Sequence, residues 1–313
     1  MSFTLLLKFF MILKQLDVTD YKKLKVFFEN QQNRLSTYSL LSLIVWSNPK
    51  LIAHYTIENN TLIIGNKSYN KPEDNHLILP ISPTEKITPE YLFVIAKKLG
   101  FSSYWFIPED FLLKYDRKEI EFYFTVIAQT KFDDYIYLTE DLVHLKGNKY
   151  IKQRNLIHQF YKTYLERGKV EIEMISPDNV KDCLNFLQEW CDLRKCDLDQ
   201  NEDLACEKMA TTAALNNIDT LEARGLLIRI DSVVSAFGIS SILTDNMGVL
   251  NFEKAYPHIK GLYQFLDNEC SKHLFKGYKY INKESDMNLP NLAQSKKSYN
   301  PVMKVKSYRL TLR

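Results

Sequence analysis

The stretch LLIRIDSVVSAFGISSI, residues 226–242, and the stretch NFEKAYPHIKGLYQFLDNE, residues 251–269, decide how this chain folds. The first has two β-rich arms around Asp231 and Ser232, polar residues of the kind that turn a tight hairpin. The second lies on a strand predicted over 248–255, turns through Pro257 and Gly261, and continues into a helix predicted over 262–275. Gly277 stops that helix, because glycine accepts the left-handed backbone that ends helices. Upstream, 170–175 reads as a strand leading through Ser176 and Asp178 into an amphipathic helix with Val180, Leu184, Leu187 and Trp190 on its apolar side; downstream, 278–282 reads as a last strand.

The same order is present in the first half. Residues 12–18 read as a strand, and Thr19 and Asp20 lead into a helix with Tyr21, Leu24, Phe27 and Phe28. LIAHYTIENNTLIIG, residues 51–65, is a hairpin turning at Asn59 and Asn60, followed by a strand at 76–81, a helix at 89–99 closed by Gly100, and a strand at 101–107. A repeated order of strand, helix, hairpin, strand, helix, strand reads as a duplication. It is also the order of the GCN5-related N-acetyltransferase (GNAT) fold. The predicted fold class is therefore mixed α/β, with α+β mixed sheets in tandem GNAT domains over 1–147 and 148–313, the second led by a basic helix at about 148–167.

A chain of 313 residues is long enough for two cores. Its net charge of +3 is too small for a general nucleic-acid binder, which needs clustered Lys and Arg. Cys183, Cys191, Cys196, Cys206 and Cys270 form no CxxC pair and read as reduced thiols, with a zinc site disfavoured by their irregular gaps. MSFTLLLKFFMIL at the start is interrupted by Lys8 and is shorter than the ~20 residues that span a bilayer, so it reads as neither anchor nor signal. Residues 1–10 could be an extension ahead of Met11, and the expected setting is the cytoplasm. No nucleophilic triad, HExxH pair or GxxxxGK[ST] loop is present, which disfavours metal-dependent hydrolysis and ATP hydrolysis. No metal is expected.

Several residues could carry chemistry. The linker helix has Lys146, Lys149, Lys152, Arg154, Lys162, Arg167 and Lys169 against Glu166, a surface that would attract an RNA backbone or an anionic headgroup, or is a solvated basic face. Arg154 beside Asn155 could hold a phosphate or carboxylate in fixed orientation. In GNAT enzymes a Gly-rich loop before the helix grips the pyrophosphate of coenzyme A; here YPHIKGLYQF keeps Gly261 but follows it closely with the bulky Tyr263. Glu253 and Lys254 sit at the strand end before this turn and are predicted by alternation to face opposite sides, so a carboxylate there could bind an amine or take its proton. YINKESDMNLPNLAQSKKSYNPV, residues 280–302, would place Asn282, Glu284 and Asp286 at a strand end, with Lys297, Ser298 and Tyr299 reaching back after a short helix.

Taken together, residues 133–160, 251–269 and 280–302 resemble the soluble bacterial family related to the C-terminal domain of phosphatidylglycerol lysyltransferase, a likeness running from about Met11 to the C-terminus. The matching positions are Lys146, Gly147, Lys149, Tyr150, Arg154 and Asn155, then Phe252, Glu253, Lys254, Gly261, Tyr263 and Gln264. Asn282, Glu284, Asp286, Leu292, Lys297, Ser298, Tyr299 and Pro301 complete the set. Departures are Ser232, Asn288 and Asn291 where the family commonly has Gly, and Lys283 where Arg is usual, an exchange that weakens bidentate anion recognition. The resemblance implies a tandem GNAT fold and transfer of an aminoacyl group from charged tRNA to a lipid headgroup or small-molecule acceptor, with no resident cofactor. Under it, Glu253, Lys297 and Tyr299 are the expected catalytic residues. Lys149, Lys152, Arg154, Asn155, Lys254, Gly261, Gln264, Asn282, Glu284, Asp286 and Ser298 are the expected substrate contacts. Coenzyme A-dependent N-acyl transfer and non-catalytic tRNA or anion binding are the competing readings, and the sequence is silent on oligomeric state.

Overall fold

The computed structural model describes residues 12–196 and 202–313, so the expected extension over residues 1–10 lies outside the described residues. The first strands are β1 (Lys14–Gln15), β2 (Ile52–Glu58), β3 (Thr61–Lys67), β4 (His76–Leu77), β5 (Ser103–Pro108) and β6 (Phe124–Ala128). They continue with β7 (Asp134–Leu138), β8 (Val170–Met174), β9 (Arg224–Ile230), β10 (Val233–Thr244) and β11 (Met247–Ala255). The last are β12 (Tyr280–Asn282), β13 (Met303–Val305) and β14 (Ser307–Leu312). Among the described residues they form two seven-stranded mixed sheets, ordered β1-β2-β3-β4-β5-β14-β6 and β13-β7-β12-β11-β10-β9-β8.

Both hairpins turn where the sequence places them. Asn59 and Asn60 have φ of 47° and 56°, and Asp231 and Ser232 have φ of 50° and 67°, so each pair supplies the two left-handed residues that match the twist of the flanking strands. The expected helix at 89–99 is α1 (Pro89–Leu99): Thr88 accepts from the Tyr91 N–H, Pro89 needs no donor partner in the first turn, and Gly100 closes the helix at φ 75°. The first helix of the sequence pattern is shorter, Tyr21–Leu24 extended by single 3₁₀ turns.

The sheets do not part at Gly147. Strand β7, which precedes that residue, pairs with β12 and β13 in the second sheet, and the C-terminal strand β14 lies between β5 and β6 in the first. Gly147, at φ 86°, is only the turn between α2 (Thr139–His144) and α3 (Ile151–Phe160). Such long-range pairing leaves no local trace in sequence, because any half-buried strand offers the same alternating pattern. One apolar core runs through both sheets, joining Leu24, Ile64, Phe237 and Leu310.

Around the second sheet lie α4 (Val180–Arg194), α5 (Glu202–Asn216), α6 (Leu262–His273) and α7 (Pro290–Ser298). Each sheet has one place where parallel neighbours begin together and then part. Strands β4 and β5 pair only at Leu77 and Tyr104, whereas β11 and β12 pair from Met247/Tyr280 to Val249/Asn282. Strand β11 continues to Ala255, so Glu253 stands beyond the ladder, at the mouth of the gap between parting strands. Open α/β sheets place ligands at such gaps.

Candidate active site

Alternation along β11 sends Glu253 and Lys254 to opposite faces. Lys254 is buried; its Nζ lies 2.5 Å from Glu207 Oε1 on α5 and 4.6 Å from the Trp190 ring on α4, so it is held in an ion pair against α4 and α5. Glu253 faces the gap. Its Oε2 lies 3.0 Å from Lys283 Nζ, and the same ammonium lies 2.7 Å from Asp267 Oδ1 on α6. Asp267 Oδ1 meets it at ion-pair distance, and neither Asp267 oxygen has an aligned hydrogen-bond partner. The Tyr299 ring covers the ammonium at 5.1 Å. Burial pulls Lys283 down, but the charges of Asp267 and Glu253 outweigh it and hold the ammonium above the usual lysine range. Burial also raises Glu253, against the pull of Lys283, and its Oε1 is buried with no hydrogen-bond partner.

Next to this clamp stands a second acid and amine. Lys296 Nζ donates to the backbone carbonyls of Lys283 and Glu284, the latter at 3.2 Å. Burial lowers Lys296 to about 8, and burial raises Glu284 to about 8, each against the opposite charge of the other. Glu284 has φ 58°, a strained conformation for a side-chain-bearing residue, and Met287 and Asn288 follow it at 51° and 59°. The loop is fixed from below: Asn282 Nδ2 donates to Asp134 Oδ2 (2.8 Å) and to the Arg34 carbonyl (2.9 Å), while its Oδ1 accepts from the Glu284 N–H (2.7 Å). Glu253, Lys283, Glu284 and Lys296 are half-buried, which makes this a recessed site.

Residues 107–311 match the family described as phosphatidylglycerol lysyltransferase, C-terminal. The chain belongs to this family. The match contains Glu253, Asp267, Lys283, Glu284, Lys296 and Tyr299. Among solved structures, a conserved protein of unknown function from Bacteroides thetaiotaomicron is 24% identical, with a TM-score of 0.87 over 97% of this chain and 100% of that one. A C-terminal domain assigned to a lysylphosphatidylglycerol synthetase from Agrobacterium fabrum is 13% identical, with a TM-score of 0.65 over 94% of this chain and 91% of its own. The fold is mixed α/β, and both halves follow the repeated order of strand, helix, hairpin, strand, helix, strand read from the sequence. No curated protein matches.

This member of the phosphatidylglycerol lysyltransferase C-terminal family departs from several residue expectations. Lys297 is exposed, and Lys296, one step round α7, turns inwards instead. Arg154 donates to the carbonyls of Leu145 and Gly147 (2.7 Å to Gly147), closing the end of α2 and not facing the gap. It borders a separate hollow of ≈ 240 Å³ with His144, His158 and Asn268. Asn155 and Lys152 are exposed on α3, and Lys149 pairs with Asp141 at 2.9 Å. Gly261 is a packing residue: a Cβ there would stand 2.1 Å from the Leu156 carbonyl oxygen and 3.1 Å from Phe160 Cβ, so α3 rides directly on the start of α6. Gln264 is half-buried on that helix. Asn282 secures the junction of the sheets, Asp286 accepts from the Tyr135 hydroxyl at 2.5 Å, and Ser298 accepts from Gln153. Tyr299 does reach the gap, buried against Lys283.

Asp267 and Lys296 are the residues that sequence reading passes over. An acid within an amphipathic helix looks like a surface acid, and α7 has too few apolar residues to fix its rotation. Cys183, Cys191 and Cys270 are buried thiols, and among the described residues no three His, Cys, Asp or Glu are grouped to hold a metal. No helix among the described residues is long and apolar enough to cross a membrane.

Proposed function

We propose that this protein transfers an aminoacyl group from charged tRNA to a hydroxyl or amine on a lipid headgroup or small molecule. The observation that carries the reading is the unpartnered, buried Oε1 of Glu253 beside two lysines at the mouth of the β11/β12 gap. A carboxylate oxygen in that position suits the α-ammonium of an aminoacyl ester. The ester is already activated, so positioning and charge stabilisation supply most of the catalysis.

In this mechanism Lys296 acts as the uncharged amine. Its two N–H bonds go to the Lys283 and Glu284 carbonyls, and its lone pair takes the acceptor's proton as the acceptor oxygen or nitrogen attacks the ester carbonyl. The C–O bond to the tRNA 3′ oxygen then breaks, and the proton returns to that oxygen. Burial holds Lys296 near pH 8, where proton loss is accessible. Tyr299, whose hydroxyl lies beside Asp267, orients the clamp. The exposed Lys146, Lys152, Lys162 and Arg167 offer the tRNA backbone a positive face.

A coenzyme A thioester is the less supported donor, because the start of α6 is covered by Leu156 and Phe160 and offers a pyrophosphate little space. The test is incubation with tRNA carrying labelled amino acids and with cell extract. Label moving into a lipid or small-molecule fraction only when the protein is present supports the reading, and label remaining on tRNA with every donor refutes it.

A further inference from the structure

We infer that Cys191 and Cys196 form a redox-reactive pair, which a hydroperoxide converts to an intramolecular disulfide that fastens the last turn of α4. The pair lies on the helix side of the second sheet, near Lys254 and away from the gap that holds Glu253, so its chemistry does not depend on what that gap carries out.

Helix α4 ends in a complete Schellman turn. Lys195 adopts φ 54°, its N–H donates to the Asp192 carbonyl at 3.4 Å, and the Cys196 N–H donates to the Cys191 carbonyl at 3.1 Å. Residues five apart on a continuing helix do not face each other, but this turn folds the chain back until its first and last side chains pack together. Here both are cysteines, and the Cys196 sulfur lies within hydrogen-bonding reach of the Cys191 thiol. A disulfide spans Cα atoms roughly 4.4–6.8 Å apart, a separation favoured by the backbone hydrogen bond between the same two residues. Cys191 is buried, and burial lifts its thiol to about 12, so the first thiolate comes from the half-buried Cys196. With hydrogen peroxide, the Cys196 sulfur breaks the O–O bond and becomes a sulfenic acid, while the released hydroxide takes the thiol proton and leaves as water. The Cys191 sulfur then displaces the sulfenic oxygen, which leaves as a second water with the Cys191 proton. Two thiols are oxidised by two electrons and one peroxide is reduced. Trp190, on the same turn, donates to the Ala255 carbonyl at 3.1 Å, so the fastened turn is one that braces the end of β11.

The test is exposure of the reduced, intact protein to hydrogen peroxide, followed by alkylation of the remaining thiols and tryptic mass mapping. Arg194 and Lys195 lie between the two cysteines, so trypsin separates them and a disulfide shows as two joined peptides that dithiothreitol parts. The Cys191–Cys196 bridge is expected to form at least about tenfold faster than any bridge that includes Cys183, Cys206 or Cys270. The oxidised protein is expected to melt a few degrees above the reduced one, because the bridge closes a turn that the native chain already makes. In Cys191→Ser the sulfenic acid of Cys196 has no resolving thiol and is expected to take up dimedone, whereas the wild-type protein takes up little. Both cysteines recovered as free thiols, Cys196 joined instead to another cysteine or to a second chain, or a lower melting temperature after bridging would overturn the inference. The wild-type arm needs no variant to fold.

Discussion

The two places where parallel strands part are built from the same topology and closed in opposite ways. Between β4 and β5 the gap is bridged by Tyr38, which is fully buried: its hydroxyl accepts from the Leu79 N–H at 3.1 Å and donates to the Phe106 carbonyl at 3.0 Å. Ile78, Leu79 and Ile81 line that side, and the charged group beside it is Arg309, which lies over Trp105 at 5.2 Å. Beside it His76 stacks on Trp105 at 4.4 Å and is held neutral, since burial lowers it to about 4. Between β11 and β12 the corresponding space holds Glu253, Lys283, Glu284 and Lys296. Buried charge is costly unless a function or a partner compensates it. One copy of the fold thus closes its gap with a phenol and acts as scaffold, while the other keeps its gap polar and is suited to chemistry.

The largest effect is expected in the second gap. Glu253→Gln removes the carboxylate for the α-ammonium and Lys296→Met removes the base, and each should lower aminoacyl transfer by about 10²-fold or more. Lys297→Ala, on the exposed side of α7, should leave the rate within about twofold; equal losses at 296 and 297 would show that the comparison picks the wrong lysine.

The next effect is on packing. Gly261→Ala places a Cβ against the Leu156 carbonyl at φ 84°, and should destabilise the fold by about 3 kcal/mol, read as a lower urea midpoint. An unchanged midpoint would mean that α3 does not lie on this glycine. In the first gap, His76 has its Nδ1 on the Asp74 carbonyl (2.6 Å) and its Nε2 facing the Asn66 amide (3.0 Å), the pattern of a neutral ring. Its proton affinity is lower in the folded than in the unfolded chain. Its contribution is therefore present above 6.5, the ordinary value, and lost as pH falls towards 4, about 3 kcal/mol in all. A His76→Gln variant should melt with a shallower acid dependence over that window. Smallest of all, Tyr38→Phe leaves the Leu79 N–H and Phe106 carbonyl without their shared hydroxyl. It should cost about 2 kcal/mol of stability while sparing transfer.

Much of this arrangement is legible in the chain. Turn residues at 59–60 and 231–232, the Thr88–Pro89 start and Gly100 stop of α1, and the repeated element order fix the local structure because each depends on neighbouring residues. The exchange of β7 and β14 between sheets is not legible, since strand partners are chosen at long range. Helix α5 is also absent from the sequence reading: Glu202–Asn216 carries Thr and Ala on its buried side and little apolar periodicity. In the site, Glu253 and Glu284 are found from their strand ends, and Tyr299 from the short helix that brings it back towards them. Lys296 is missed by a single helical step, and Arg154 draws attention for a charge that is spent on two carbonyls.

Single-turnover release of labelled amino acid from tRNA to its acceptor, followed in the wild-type protein, Glu253→Gln and Tyr38→Phe, compares the two gaps in one experiment. Rapid transfer by the wild-type and Tyr38→Phe proteins, with a loss of about 10²-fold in Glu253→Gln, is the predicted result. Wild-type rates in Glu253→Gln, or a collapse confined to Tyr38→Phe, would contradict the assignment of chemistry to the second gap.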